Sequence, residues 1–180
     1  ARVKQRVFLI PSFVPTVLVF GVSGCSLDGS CGESKKLKIN LQSRFSLQTP
    51  SGKVITGRSN GLEGDDSIAN PSGEELLAPD VNGIDAEGCA LLADGTFWLC
   101  EEYRPSILCC ETDGTVTKRC IPEDVKLPLS DIQIVKNLPA HYAKRRANRG
   151  FESLALSPDE STIWVLMQSP FDNEAAERSG

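Results

Sequence analysis

The residues best suited to chemistry are acidic and sit at expected strand boundaries: Asp85, Glu87, Glu101, Glu102 and Glu152. Carboxylates gathered with loop carbonyls supply the hard oxygen ligands that Ca2+ takes, roughly six to eight of them. A cation so held can grip a phosphate and polarise the bond that water attacks. Asp85, Glu87, Glu102 and Glu152 are therefore the candidate metal ligands, with Ca2+ the expected ion. Arg149 and Arg104 are candidate substrate-binding residues, because a guanidinium clamps anion oxygens through two parallel hydrogen bonds. Tyr103 can donate one more. Each residue also has a structural reading. A Glu at the same place in each sheet of a repeat can staple neighbouring backbone N–H groups, and Arg149 can simply pair with a carboxylate. Glu101 and Glu102 are adjacent, so on a strand only one of them faces a given side. Tyr103 and the two tryptophans, Trp98 and Trp164, suit packing as well as ligand contact.

No residue stands out as a catalytic nucleophile or base. A Gly-x-Ser-x-Gly elbow is missing. His141 is the single histidine and lies on a basic stretch, which leaves a Ser-His-Asp triad without support. The Arg-His-Gly motif of histidine phosphatases and any Gly-rich nucleotide loop are also missing, so no organic cofactor is expected. The 7 cysteines (Cys25, Cys31, Cys89, Cys100, Cys109, Cys110, Cys120) include no CxxC pair and give no zinc site. In an exported chain one or two disulfides would be expected among the last five; in a reducing compartment they would be small buried hydrophobes. A formal net charge of -5, with basic residues confined mainly to two short runs, argues against a nucleic-acid partner.

These side chains need a scaffold, and the chain supplies it unevenly. Arg2, Lys4 and Arg6 precede a mostly apolar stretch, residues 7–22, which together read as a secretory signal. Pro11 and Pro15 would kink a helix there, and the run is short for a membrane span. Val22-Ser23-Gly24-Cys25 resembles a lipobox, which would make Cys25 a lipid anchor. Membrane association is expected only through that anchor or through an uncleaved N-terminal segment. The alternative is that residues 7–20 form a buried strand or lie upstream of the fold. The expected division is a signal-like or disordered segment at 1–24, a linker at 25–38 and an all-β domain at 39–180.

Within that domain, alternation predicts strands at residues 37–41, 44–47 and 53–56, then a long Gly/Asp/Pro/Ser-rich loop over 60–80. From Glu87 the pattern is strand, Asp94-Gly95 turn and strand through Leu99, with further strands at 106–110 and 115–120. Four short antiparallel strands in order match one propeller blade. The first hairpin then recurs. The offset is 152 − 87 = 65 at Glu, 155 − 90 = 65 at Ala and 159 − 94 = 65 at Asp, with Trp98 and Trp164 one residue further apart. Self-similarity of this kind marks a repeat architecture. A short helix or turn is expected between the copies, over 138–146.

Three segments carry a family resemblance. Asp85-Ala86-Glu87-Gly88 resembles an Asp-Pro-Glu-Gly motif, and Glu101-Glu102-Tyr103-Arg104-Pro105-Ser106-Ile107 an Asp-Glu-Tyr-Gly-Pro-Ser-Ile motif. Asn148-Arg149-Gly150-Phe151-Glu152-Ser153-Leu154-Ala155-Leu156-Ser157-Pro158-Asp159 is similar to Asn-Arg-Gly-Phe-Glu-Gly-Leu-Ala-Leu-Ser-Pro-Asp. All three belong to the phytase-like domain family, described as having esterase-like activity. The resemblance implies an incomplete β-propeller of two to three antiparallel blades and an exported hydrolase of phosphate or carboxylic esters, metal-assisted, with a small ester or phosphate ligand. A non-catalytic binding scaffold and an inactive partial chain are the alternatives. Arg104 and Ser153 stand where the family has glycine, and Glu160 replaces a turn glycine. A position needing positive φ would not suit Arg104.

Overall fold

A computed structural model describes residues 5–24, 37–61 and 66–171. Their strands in chain order are β1 (Gln5–Val7), β2 (Thr16–Ser23), β3 (Lys38–Ser46), β4 (Ser67–Ala69), β5 (Ala86–Leu91) and β6 (Phe97–Glu101). These are followed by β7 (Ser106–Cys110), β8 (Val116–Pro122), β9 (Gln133–Leu138), β10 (Phe151–Leu156) and β11 (Ile163–Met167). A 3-10 turn, Ala140–Lys144, precedes β10.

The centre is a five-stranded sheet in the order β5-β6-β7-β8-β9. Its first four strands are antiparallel, and β9 adds in parallel to β8. Side chains alternate across it. On one face Phe97, Leu99, Leu108, Cys110 and Val116 close over Leu47, Ile55, Ile84 and Ile132. Full burial of such a side chain is worth about 1.5–3 kcal/mol, so this is the main source of cohesion. On the other face Ala90, Trp98, Cys100 and Ile107 pack against Phe151, Leu154, Ile163 and Val165 of the β10–β11 hairpin. The β2–β3 ribbon joins the first face through Val17 and Phe45, whose ring lies 6.0 Å from that of Phe97. The result is a stack of antiparallel sheets, none of which closes on itself among the described residues. The chain is all-β with an incomplete, propeller-like architecture.

The N-terminal region departs from expectation. Residues 5–24 do not stand apart from the domain. β1 pairs in parallel with β4 and β2 pairs along its length with β3. The Val- and Phe-rich composition that reads as a signal also suits a pleated strand. The strands expected at 37–41 and 44–47 are one strand, β3. Its register runs Val19↔Ser43 and then Phe20↔Leu41, leaving Gln42 as an extra residue. That bulge turns Phe45 toward the core while Ile39 and Leu41 face outward, 59% and 54% exposed. The expected linker falls mostly on residues 25–36, which lie outside the described residues, as do Cys25 and Cys31. The five cysteines within them are free thiols.

Candidate functional site

The site forms where β5, the segment after β6 and the start of β10 meet. Glu101 ends β6 and is fully buried. Its Oε2 accepts from Arg119 Nη2 and from the Arg104 N–H, both at 2.9 Å, and its Oε1 accepts from the Tyr103 N–H at 2.9 Å. Arg119 Nε also donates to Ser106 Oγ at 3.0 Å. Burial pushes the Glu101 pKa up, and the Arg119 charge with these donors opposes it. Glu101 is thus a staple that folds residues 101–106 into a tight loop, and its neighbour Glu102 is turned the other way. Arg145 Nε braces the loop from behind by donating to Tyr103 O at 2.7 Å.

Two bulges and two glycines bring the remaining carboxylates in. Along β5 the register passes from Ala86↔Glu101 to Gly88↔Cys100, so Glu87 is the extra residue. Along β10 it passes from Phe151↔Met167 to Ser153↔Leu166, so Glu152 is the extra residue. A bulge re-aims its side chain out of the regular alternation, and here it does so for both glutamates. A Cβ on Gly150 would lie 2.1 Å from Glu102 O, and one on Gly88 would lie 2.6 Å from Leu154 N. Only glycine lets β10 come this close to β5 and to the Glu102 loop.

Asp85, Glu87 and Glu102 present carboxylate oxygens that all lie within 4.8 Å of one another. Glu152 stands outside this trio, but its charge raises the pKa of each member. Burial is the main cause of all three shifts. Glu102 is pushed furthest, to about 7, by burial and then by Asp85, Glu87 and Glu152, with Arg6 opposing. The residue is 3% exposed, and its Oε1 is buried with no hydrogen-bond partner. An orphaned carboxylate oxygen in a group of like charges is unfavourable alone and is relieved by a cation. The donor set, all oxygen, fits a hard cation such as Ca2+ and lacks the nitrogen or thiolate that zinc prefers. Cys100, beneath the cluster, has its pKa pushed up to about 11 by burial and by Glu87, so it remains a neutral thiol.

The residues expected to bind substrate are dispersed. Arg149 is exposed and donates to Gln168 Oε1 at 2.8 Å. Arg104 is buried, 6% exposed, and its φ is not positive, so the position tolerates a side chain. Tyr103 does sit at the site, where its hydroxyl donates to Gly57 O at 2.7 Å and also lies in hydrogen-bonding reach of Asp85, whose pKa it lowers. His141 packs among Tyr142 and Phe171, ring centroids 4.5 and 5.4 Å away. A cation that does reach the carboxylates is Arg6 of β1. Its guanidinium carbon lies 5.9 Å from the Tyr103 ring centroid, and its charge lowers the pKa of Asp85 and Glu102. Its place in a run resembling an export signal concealed this, and no local spacing connects it to residues some eighty to one hundred and forty positions away.

Stacked, unclosed antiparallel sheets with a carboxylate cluster at a blade seam define the class of protein. The chain belongs to the phytase-like family, described as esterase-like activity of phytase, which matches residues 26–180. It is similar to an uncharacterized secreted protein of Arthroderma benhamiae, 26% identical over 164 residues, covering 77% of this chain and 32% of that protein. The chain therefore spans about a third of the length of the curated relative it matches. No solved structure matches it.

Proposed function

We propose that this chain carries the acidic part of a cation-assisted hydrolase acting on phosphate or carboxylic esters. The observation that carries the reading is the trio Asp85, Glu87 and Glu102, with Glu102 Oε1 buried and unpartnered. These residues would hold the cation, with Glu152 adding negative charge. Loop carbonyls and water would complete the shell. When bound, the ion supplies Lewis-acid polarisation of a phosphoryl or carbonyl oxygen. The protein's part is to keep the carboxylates together at the seam and to keep the Glu101 staple rigid beneath them. The relative spans far more sequence, so turnover is a property to be sought in the whole protein as well as in this chain.

The test is hydrolysis of p-nitrophenyl phosphate and p-nitrophenyl acetate with Ca2+ and with chelator, alongside calcium titration by calorimetry. Turnover lost on chelation and in Glu87→Gln supports the reading. Turnover indifferent to both would overturn it. A second reading, a binding scaffold without turnover, is favoured by the bare outer face of β10–β11, where Trp164 is 56% and Leu166 is 66% exposed. Saturable ligand binding with no hydrolysis across ester panels would select it.

Export is part of the same proposal, supported by the word "secreted" in the relative's name. No helix among the described residues is long and apolar enough to cross a membrane. A lipid anchor at Cys25 is the alternative to a retained N-terminal segment, since lipidation there would remove residues 1–24 with β1 and β2; the intact mass of the exported protein separates the two.

A further inference from the structure

Next to the carboxylate trio lies a small cavity lined by Arg6, Ser59, Asp66, Ile68, Tyr103 and Asn148. Its free space, about 10 Å³, admits one oxygen-sized group. Three observations single it out. Ser59 is 6% exposed, and its Oγ is buried with no hydrogen-bond partner. Such a hydroxyl costs about 1–3 kcal/mol if left unsatisfied. Asn148 lies at φ 53, a left-handed conformation for a side-chain-bearing residue, and its Oδ1 accepts a hydrogen bond from Arg6 Nη1. Asn tolerates that conformation better than most residues, and strained backbone of this kind gathers at ligand sites. Arg6 itself is fixed by its strand: β1 pairs with β4, Phe8 N donates to Ala69 O at 2.9 Å and Gln5 Nε2 donates to Gly73 O at 3.0 Å.

We propose that Arg6 and Ser59, positioned by Asn148 and Tyr103, form an oxyanion subsite beside the carboxylate trio, with Arg6 the specificity-determining residue. The ligand is an oxyanion, a phosphate or a carboxylate, that inserts one oxygen between the guanidinium and the Ser59 hydroxyl. A charged donor and a free hydroxyl make a strong pair for such an oxygen. The remaining oxygens of the anion then face the carboxylates and any cation they hold. Asp66 on the cavity wall opposes an anion, and the free space of about 10 Å³ limits what enters to a single oxygen. The subsite deepens the ester-hydrolase reading and rests on it for what the bound anion is used for. It also makes residues 5–7, which precede the stretch matched to the family, part of the working site.

The experiment is calorimetric titration of the full 180-residue chain with inorganic phosphate and, separately, with acetate, each with and without Ca2+. The variants are Arg6→Ala, Arg6→Lys, Ser59→Ala and Asp66→Asn, each checked for an unchanged melting transition. Arg6→Ala is expected to weaken anion binding at least tenfold. Arg6→Lys should recover part of this, Ser59→Ala should weaken binding severalfold, and Asp66→Asn should strengthen it. The anion with the tighter Kd identifies the ligand class. Calcium affinity should hold or rise in Arg6→Ala, because a positive charge has left the neighbourhood of a cation. Equal anion binding by the unaltered chain and Arg6→Ala overturns the proposal, as does no binding of either anion. If Arg6→Ala does not fold, Arg6→Lys and Ser59→Ala decide the question in the same way. Failure of the unaltered chain to bind calcium refutes the cation reading alone, since anion binding is read without it.

Discussion

The hairpins β5–β6 and β10–β11 are built alike and live differently. Each pairs an Ala with a Trp across the strands, Ala90↔Trp98 and Ala155↔Trp164, and each carries a Glu as the extra residue of a bulge. In the first, β6 is buried on both sides, while β5 is covered on the side of Gly88 and Ala90 and leaves Cys89 and Leu91 exposed on the other. Leu154 rests on Gly88, and Trp98 packs in the second core. The second hairpin is sheathed on one side only. Ser153 occupies the place of Gly88 and is exposed, and Trp164 points outward. The difference explains a departure from the family pattern. Glycine is needed where another strand lies on top, and Ser153 has no strand over it among the described residues. The family motif thus joins a packing requirement, carried by the glycine, to the glutamate that the proposed cation site draws on.

The comparison breaks first at Gly88. Gly88→Ser should destabilise the chain by about 3 kcal/mol, because the new Cβ meets backbone that cannot swing aside. Ser153→Gly should change stability by less than about 1 kcal/mol. Denaturant midpoints of the two variants test the pair, and similar midpoints would undo the sheathing argument. Next come the tryptophans. Trp98→Ala should cost about 2 kcal/mol and Trp164→Ala a few tenths, since only the first loses packed neighbours on folding.

The glutamates should separate more modestly. Glu87→Gln is expected to weaken Ca2+ about tenfold, near 1.4 kcal/mol, and Glu152→Gln about twofold, because Glu152 acts through charge from outside the trio. Calorimetry with both variants sharpens the distinction, and equal losses would make Glu152 a full ligand. The same cluster sets a pH dependence. Glu102 is raised from its ordinary 4.5 to about 7. A raised acid binds more protons folded than unfolded, so its contribution is full below 4.5 and is lost as pH rises through about 7. Without cation, the melting temperature should fall over that window. Glu102→Gln should flatten the fall, and Ca2+ should offset it at the upper end.

The smallest effect is expected at the hairpin tips. The first turn uses Gly95 at φ 89, whereas the second places Glu160 at φ 59. Glu160 Oε1 accepts from the Ala93 N–H at 2.6 Å, which ties the second tip to the first. Glu160→Gly would relieve the backbone and lose that bond, terms of about 1 kcal/mol each and opposite sign. A near-unchanged midpoint is expected, with faster amide exchange at Ala93.

Much of this was legible in the sequence, and the gaps have physical causes. The strands from Glu87 to Cys120 follow from alternation and Asp-Gly turns, which are local signals, and the second hairpin follows from its repeat of the first, with Glu160 in place of the turn glycine. Asp85, Glu87 and Glu102 were found as acids at strand ends. Their convergence, and the separation of Glu101 as a buried staple, depended on Arg119 on another strand. β9 was missed because parallel pairing with β8 has no hairpin signature. β3 was split because the bulge at Gln42 inverts its alternation. Arg6 was read as part of a leader because positive charge before an apolar run looks the same whether it is discarded or folded. Ser59 gave no signal and Asn148 entered only as the first residue of a family motif, since an unsatisfied hydroxyl and a left-handed backbone exist only in three dimensions.

The outward turn of β3 past Gln42 has a consequence for handling the protein. Leu18, Phe20, Val22, Ile39 and Leu41, each 50–62% exposed, line one side of the β2–β3 ribbon, and Trp164 and Leu166 line the far side of the stack. Two greasy ends on one particle make attraction between particles directional, head to tail. Colloidal behaviour then follows the ends and responds little to the overall charge of -5. Light scattering should grow with concentration as short chains of particles rather than as paired ones. Mild detergent, which coats such ends, should disperse them where a change of salt does not.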